Sequence, residues 1–428
     1  MSSLVLAQIF MVFTLILMIT GRTPLYTTAI AGSALVCVIA GFPFSGSENV
    51  TIAKLVQSGL NPVIADMTGV LLFLGILEGT GFLAVIVRSV IRFGIKIGGG
   101  PGVCTAGGIA AGIIGMLTGY SPPIVTGAIA GPAAVKMGVN PNQAAGSLGH
   151  AGGLGNFGGF THPTQVALIA VAAIGFGAIN VVGVICALTI FLVSHIRMYY
   201  AMKAQNALKS PQEVQAFLNE TEESDKKIST FVAFLPFLVL IGGFVAGLPV
   251  FIVGVVCSLL VSFLAKVKFG EGEKLMIQGL TRMAIPLVAT IGFIFMSSVI
   301  KNIGLTDLLR EAMEPLLNIS PIMVMLLVSI LAGLVTQSYS ASGAVTIPML
   351  TVVLSTGADP LAACIAAAGG SALMQHFLTG GPVANLPTLI PVIEGSDLKT
   401  ANRFQRPSIL SGVFMVAIFA FTINFFNS

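Results

Sequence analysis

Four short stretches carry most of the polar chemistry that lies within apolar sequence. Two read Gly119-Tyr120-Ser121-Pro122-Pro123 and Gln337-Ser338-Tyr339-Ser340-Ala341-Ser342-Gly343. The other two read Asn156-Phe157-Gly158-Gly159-Phe160-Thr161-His162-Pro163-Thr164 and Gln375-His376-Phe377-Leu378-Thr379-Gly380-Gly381-Pro382, with Asn385 just beyond. Glycine lets a backbone turn and approach a ligand closely. Proline leaves a carbonyl one turn upstream without its amide partner. Such breaks can offer carbonyl oxygens to a cation and helix N-termini to an anion. The hydroxyls of Ser121, Thr161, Ser340 and Thr379 add donors suited to a carboxylate.

Charge inside the apolar sequence is scarce. Asp66 and Glu78 stand on one apolar run, and an intramembrane acid can carry a proton or Na⁺. Glu78 and His376 are the candidates for the coupling ion. With no Lys or Arg in the middle of an apolar run, an anionic substrate would be held by amides, hydroxyls and helix dipoles. The five cysteines all lie in apolar runs without CxxC or Cys/His spacing, so neither a disulfide nor a metal site is expected. No Ser/His/Asp, His/Glu or Cys cluster suggests an enzyme. No cofactor is expected, beyond Na⁺ as a possible coupling ion, and no nucleic-acid partner.

The elements that position these stretches must live in lipid. Hydrophobic residues make up 55% of the 428 and charged residues 8%, and the mean hydropathy is +0.99. An ordinary soluble domain is about 25% charged. Runs of the roughly 17–25 apolar residues that cross a bilayer recur along the chain. Helices are expected near 4–20 (read as a retained membrane helix, since no basic residue precedes it), 26–43, 63–87, 141–157 resuming at 163–174, and 177–198. A polar loop follows at 202–229. Helices return near 230–246, 248–265, 283–303, 360–377 resuming at 383–393, and 407–426. Residues 101–137 and 320–356 are apolar but interrupted at their centres, and each half is short for a crossing. Both read as re-entrant hairpins.

An internal repeat ties the four stretches together. A shift of 219 positions carries Tyr120-Ser121 onto Tyr339-Ser340, Gly138 onto Gly357, Asn140-Pro141 onto Asp359-Pro360, and Pro163 onto Pro382. Each half then holds five crossings, a hairpin and a broken helix, and an odd number of crossings inverts the second half. The expected fold is an all-α polytopic membrane protein of two inverted repeats, 1–198 and 230–428, joined by a loop at 199–229. With this count, 17 of the 20 Lys and Arg residues fall on the loop's side and only Lys54, Lys301 and Arg310 on the other. The positive-inside rule then places the loop in the cytoplasm and both termini outside, in the periplasm for an inner-membrane protein. Segments 88–100 and 305–318 match within the repeats as amphipathic arms before each hairpin.

This pattern resembles the ion transporter superfamily over essentially the whole chain. Residues 58–88 and 150–169 most resemble the gluconate permease and anaerobic C4-dicarboxylate carrier groups. The Ser-Asn-Thr tips of sodium/dicarboxylate symporters are absent, as are the paired prolines of the tripartite carriers, so neither substrate nor ion carries over from those groups. The resemblance implies substrate contacts from Tyr120, Ser121, Pro122, Thr161, His162 and Pro163 in repeat one. In repeat two it implies Tyr339, Ser340, Ser342, Thr379, Gly381 and Pro382. Asn156, Thr164, Gly380 and Asn385 flank these positions and complete the expected set. It also implies a homodimer, with 1–87 and 230–303 as scaffold and 100–198 and 318–428 as a moving transport unit. The function expected is secondary active transport of a small organic carboxylate, such as a C4-dicarboxylate or sugar acid, coupled to H⁺ or Na⁺. A Na⁺/H⁺ antiporter is the alternative.

Overall fold

The computed structural model describes residues 2–119, 123–210, 212–214, 228–282, 284–380 and 385–427. Among these residues all regular structure is helical. The first half holds α1 (Ser3–Thr20), α2 (Leu25–Ala40), α3 (Ile52–Ser58), α4 (Pro62–Gly79) and α5 (Phe82–Thr118). It continues with α6 (Pro123–Lys136), α7 (Pro141–Leu148), α8 (Ala151–Phe157), α9 (Pro163–Val171) and α10 (Ala178–Ala204). The second half holds α11 (Thr230–Val245), α12 (Val250–Leu264), α13 (Phe269–Arg282), α14 (Ala284–Asn302) and α15 (Leu305–Leu317). After these come α16 (Pro321–Thr336), α17 (Tyr339–Leu354), α18 (Pro360–Met374), α19 (Asn385–Leu389), a 3₁₀ turn (Ile390–Val392) and α20 (Leu398–Asn427).

The two halves repeat one plan. The pair α3–α4 corresponds to α13–α14, the two arms of α5 to α15 and α16, and α6 to α17. The broken α7–α8 corresponds to α18, α9 to α19 with its 3₁₀ turn, and α10 to α20. The fold is an all-α polytopic membrane protein built as two inverted repeats. Among the described residues, four helices are long and apolar enough to cross a bilayer by themselves: α1, α4, α10 and α20. The segment Leu287–Asn302 of α14 meets α15 at 75°, and six further apolar helices are shorter.

The repeat register rests on local physical signals. Asn140 and Asp359 are both N-caps followed by proline at the first helical position. The Asn140 side chain accepts from the Asn142 amide (3.0 Å) and that of Asp359 from the Ala362 amide (2.8 Å). Gly138 and Gly357, just before these caps, have φ of +93° and +86°, where a side chain would be strained.

Several sequence-level boundaries move. The helix expected at 63–87 stops at Gly79, because Gly81 turns left-handed (φ +80°) and starts α5 in a new direction. The segment expected as a separate arm at 88–100 is continuous with the start of α5. That arm ends at Gly99, whose φ of +55° and ψ of −134° break the helix before the hairpin. The span expected at 141–157 is interrupted at Gly149-His150. The last helix starts at Leu398 rather than near 407 and accommodates Pro407 within it.

Close backbone crossings hold the first helices of each half together. A Cβ on Gly69 of α4 would lie 2.6 Å from the Phe251 Cα of α12. One on Gly75 would lie 2.8 Å from the Gly279 amide nitrogen of α13. Helices in lipid gain little from apolar burial against one another, so small residues at crossings supply the packing. Asp66 completes the α4–α12 contact: its Oδ1 accepts from the Phe251 amide (3.0 Å) in the first turn of α12. An acid at a helix N-terminus both caps and meets the dipole.

Candidate functional site

The hairpin tips are shaped by left-handed turns. α5 ends at Gly119 (φ +65°) and α16 at Gln337 (φ +47°). Ser338 then N-caps α17, its Oγ accepting from the Ala341 amide at 3.3 Å. In the first repeat the broken helix restarts at Pro163 with His162 as N-cap. Its Nδ1 accepts from the Thr164 amide at 3.3 Å. That contact makes Nε2 the protonated nitrogen of a neutral His162.

The tips and breaks enclose one small cavity of about 50 Å³. It takes equivalent positions from both repeats. Gly119 faces Ser338 across the 219-residue shift, and Asn156 faces Gln375. His162 lines it from repeat one, Tyr339, Ser340, His376 and Asn385 from repeat two, and Gly152 of α8 forms part of the wall. Among the described residues no Asp, Glu, Lys or Arg lines it. The N-terminus of α17 opens onto it, so the electrostatics come from neutral donors and one helix dipole.

Tyr339 is the centre of a cross-repeat network. Its hydroxyl donates to Gln165 Oε1 of α9 (2.5 Å), and Gln165 Nε2 donates to the Phe157 carbonyl at the end of α8 (3.2 Å). The Tyr339 amide donates to Gln375 Oε1 (2.8 Å), and its carbonyl accepts from Thr164 Oγ1 (3.1 Å) and Ser342 Oγ (2.8 Å). The His162 ring lies on the Tyr339 ring with centroids 4.5 Å apart. The Tyr339 side chain is 1% exposed. Its hydroxyl therefore fixes the second tip against the first break and presents an aromatic face to the site. From α2, Tyr26 donates its hydroxyl to Ser340 Oγ at 3.5 Å.

The carbonyls released at the breaks are engaged by side chains. Asn180, near the start of α10, donates to the Gly158 carbonyl (3.3 Å) and the Gly159 carbonyl (2.7 Å). In the second repeat α20 does the same work. Gln405 Nε2 donates to the His376 carbonyl (2.8 Å), and Arg406 Nε to the Phe377 carbonyl (3.2 Å). Asn402, with its amide oriented to suit its neighbours, also donates to the Phe377 carbonyl (3.1 Å) and accepts from Arg406 (3.1 Å). The last helix of each repeat thus caps the break before it. Each of these oxygens already has an N–H donor.

Of the residues expected from sequence, Asn156, His162, Tyr339, Ser340, His376 and Asn385 converge on the cavity. Thr161, Pro163, Thr164 and Ser342 are buried beside it and do not line it. The hydroxyl of Thr161 donates to the Met116 carbonyl at 3.5 Å, and those of Thr164 and Ser342 are held by Tyr339. Thr379 is half-buried and outside the lining. Gly380 is exposed, and its amide donates to Gln337 Oε1 (2.8 Å), tying break to tip. Glu78 is exposed near the end of α4 and does not line the cavity. Tyr120, Ser121, Pro122, Gly381 and Pro382 lie outside the described residues. Gly152, Gln165 and Gln375 were not expected as site residues. Gln375 stands 219 positions from Asn156, so the repeat itself could have flagged it.

No protein-family model matches this chain, nor does any curated protein. Among solved structures, the YdaH transporter of Alcanivorax borkumensis, reported for its unusual topology, matches with a TM-score of 0.62. The match covers 97% of both chains at 14% identity. MtrF of Neisseria gonorrhoeae, reported to illuminate a class of antimetabolite efflux pumps, matches with a TM-score of 0.58 at 12% identity. That match covers 98% of this chain and 94% of MtrF. Likeness at such identities is likeness of fold, and this chain shares the polytopic all-α fold of those two membrane transporters.

Proposed function

We propose that this protein is a secondary active transporter of a small organic carboxylate, coupled to H⁺ or Na⁺ and working by alternating access. The observation that carries this reading is the cavity between the tips and breaks of both repeats, lined by neutral donors and, among the described residues, by no acid. Neutral amides, imidazoles and hydroxyls suit an anion that must be released as well as bound. Inverted repeats place such a site where either face can be opened. The fold shared with two transporters supports the same class.

A Na⁺/H⁺ antiporter on this architecture would need buried acids at the site. Here Asp66 caps α12 and Glu78 is exposed, which favours the carboxylate reading. The side-chain donors on the break carbonyls favour a proton over Na⁺ as the coupling ion. The reading includes a homodimer in the inner membrane with 1–87 and 230–303 as scaffold.

The test is uptake of labelled succinate, gluconate and citrate into proteoliposomes. An inward H⁺ gradient, an inward Na⁺ gradient and counterflow are applied in turn. Accumulation of at least one acid under a gradient is expected. Protein-free background levels for all three acids in every condition would sink the proposal.

A further inference from the structure

His376 carries a nitrogen that the fold leaves unpaired. Its ring is 9% exposed, and Nε2 has no hydrogen-bond partner among the described residues. The backbone on either side is fixed: the His376 amide donates to the Leu373 carbonyl (3.2 Å), and Gln405 holds its carbonyl (2.8 Å). The imidazole faces the cavity wall at Gly152. Leaving a buried polar nitrogen without a partner is unfavourable, and such groups in native proteins call for a ligand or a role.

A second nitrogen converges on the same spot. A Cβ placed on Gly152 would collide with His376 Nε2 and would lie 2.5 Å from Asn385 Nδ2. Both side chains line the cavity, and Asn385 is 6% exposed. Gly152 therefore has no room for a side chain, because repeat two brings two polar nitrogens down onto the α8 backbone of repeat one. A carboxylate presents two oxygens in one plane, each able to accept an N–H. Hydrogen bonds to an ionised acceptor are the strong ones.

We infer that His376 Nε2–H and Asn385 Nδ2–H, set side by side over Gly152, form the subsite that grips one carboxylate of the cargo. This deepens the proposed function and rests on it for the identity of the cargo. Both donors come from repeat two, one from each side of its break, and repeat one supplies the wall at Gly152. The carboxylate would thus join the end of α18 to α19 against α8 of the other repeat. Gly152 and Asn385 are then specificity-determining residues.

The test uses acetate, the smallest carrier of the recognised group, with the full-length protein in lipid nanodiscs. Histidines are labelled with ¹⁵N, and the His376 signals are those lost in His376→Gln. Sodium acetate is expected to shift these signals saturably where equimolar sodium chloride does not, while the His195 signals stay put. Asn385→Ala should raise the acetate concentration for half-effect roughly tenfold, the loss of one charge-assisted hydrogen bond. Gly152→Ala should do the same or more, and Asn385→Ala decides the matter if that variant does not fold. No acetate-specific shift at His376, or an unchanged response in Asn385→Ala, would overturn the subsite. Loss of organic-acid uptake alone, with the acetate response intact, would instead refute the transport reading and leave the subsite standing.

Discussion

At the scale of single residues, the site is defined by which polar atoms are already spent. The Tyr339 hydroxyl is committed to Gln165. Tyr339→Phe strands one buried acceptor, Gln165 Oε1, whereas Gln165→Leu strands both the Tyr339 hydroxyl and the Phe157 carbonyl. The first should cost about 1–3 kcal/mol of stability and the second more. Thermal melts in one detergent should give that order; equal effects would argue against the network as the anchor of the tip. Asn180 holds two carbonyls, so Asn180→Ala should lower stability by about 1–3 kcal/mol, the cost of leaving buried polar groups unpaired. Ser340 should behave differently. Ser340 lines the cavity, and its Oγ has only the long contact from Tyr26, so Ser340→Ala should reduce organic-acid uptake while melting close to the parent; a melt lowered with uptake unchanged would make it a packing residue.

At the scale of helices, small residues and caps decide how α4 meets its neighbours. Gly75 approaches the Gly279 backbone with no space for a side chain. Gly75→Val should therefore cost at least about 1–3 kcal/mol, since backbone cannot move aside as a flexible side chain would. Asp66 tests the competing roles of an acid in a membrane helix. If it caps α12, Asp66→Ala should lower stability by about 0.5–2 kcal/mol and leave gradient-driven uptake in place. Abolished uptake in a well-folded Asp66→Ala protein would make it a coupling acid instead. Glycines at Gly81 and Gly304, with φ of +80° and +73°, open the arms α5 and α15 at equivalent places in the two repeats. Their matched left-handed turns redirect the chain out of α4 and α14.

At the scale of the molecule, contacts across the middle of the chain join segments far apart in sequence. Ser89 and Thr230 share a hydrogen bond at 3.0 Å, and Arg197 of α10 donates to the Phe404 carbonyl of α20 while stacking on its ring. These pairs join segments that the charge count puts on the cytoplasmic side. On the other side Gln8 donates to the Ile303 carbonyl at 2.7 Å. Cysteine placed at position 428 should label from outside in intact spheroplasts, and cysteine at 215 should not. All five native cysteines are buried, which keeps the background low. The reverse pattern would invert the topology. For the proposed assembly, native mass measurement in mild detergent should give twice the chain mass, and a lone monomer would count against it.

Composition by itself determined the solvent of this protein, since a chain so apolar cannot bury its surface in water. Repeat register and most break positions were equally legible, the interruption at Gly149-His150 excepted. They rest on local chemistry: a capped proline at Pro141 and at Pro360, a glycine in the left-handed region before each, and glycine or proline where helices stop. Such signals act over a few residues, and sequence spacing preserves them. Only the tertiary structure decided which polar groups stay free. Thr161, Thr164 and Ser342 look like ligands in sequence, yet their hydroxyls are used up on backbone carbonyls. Gly152 looks unremarkable there, and Gln375 stands in a break without being marked as a ligand, yet both line the cavity. Asp66 reads as an intramembrane acid and serves as a cap. Hydrogen-bond satisfaction depends on groups from helices far apart in the chain, as with Tyr339 and Gln165, 174 residues from each other and 2.5 Å apart in space.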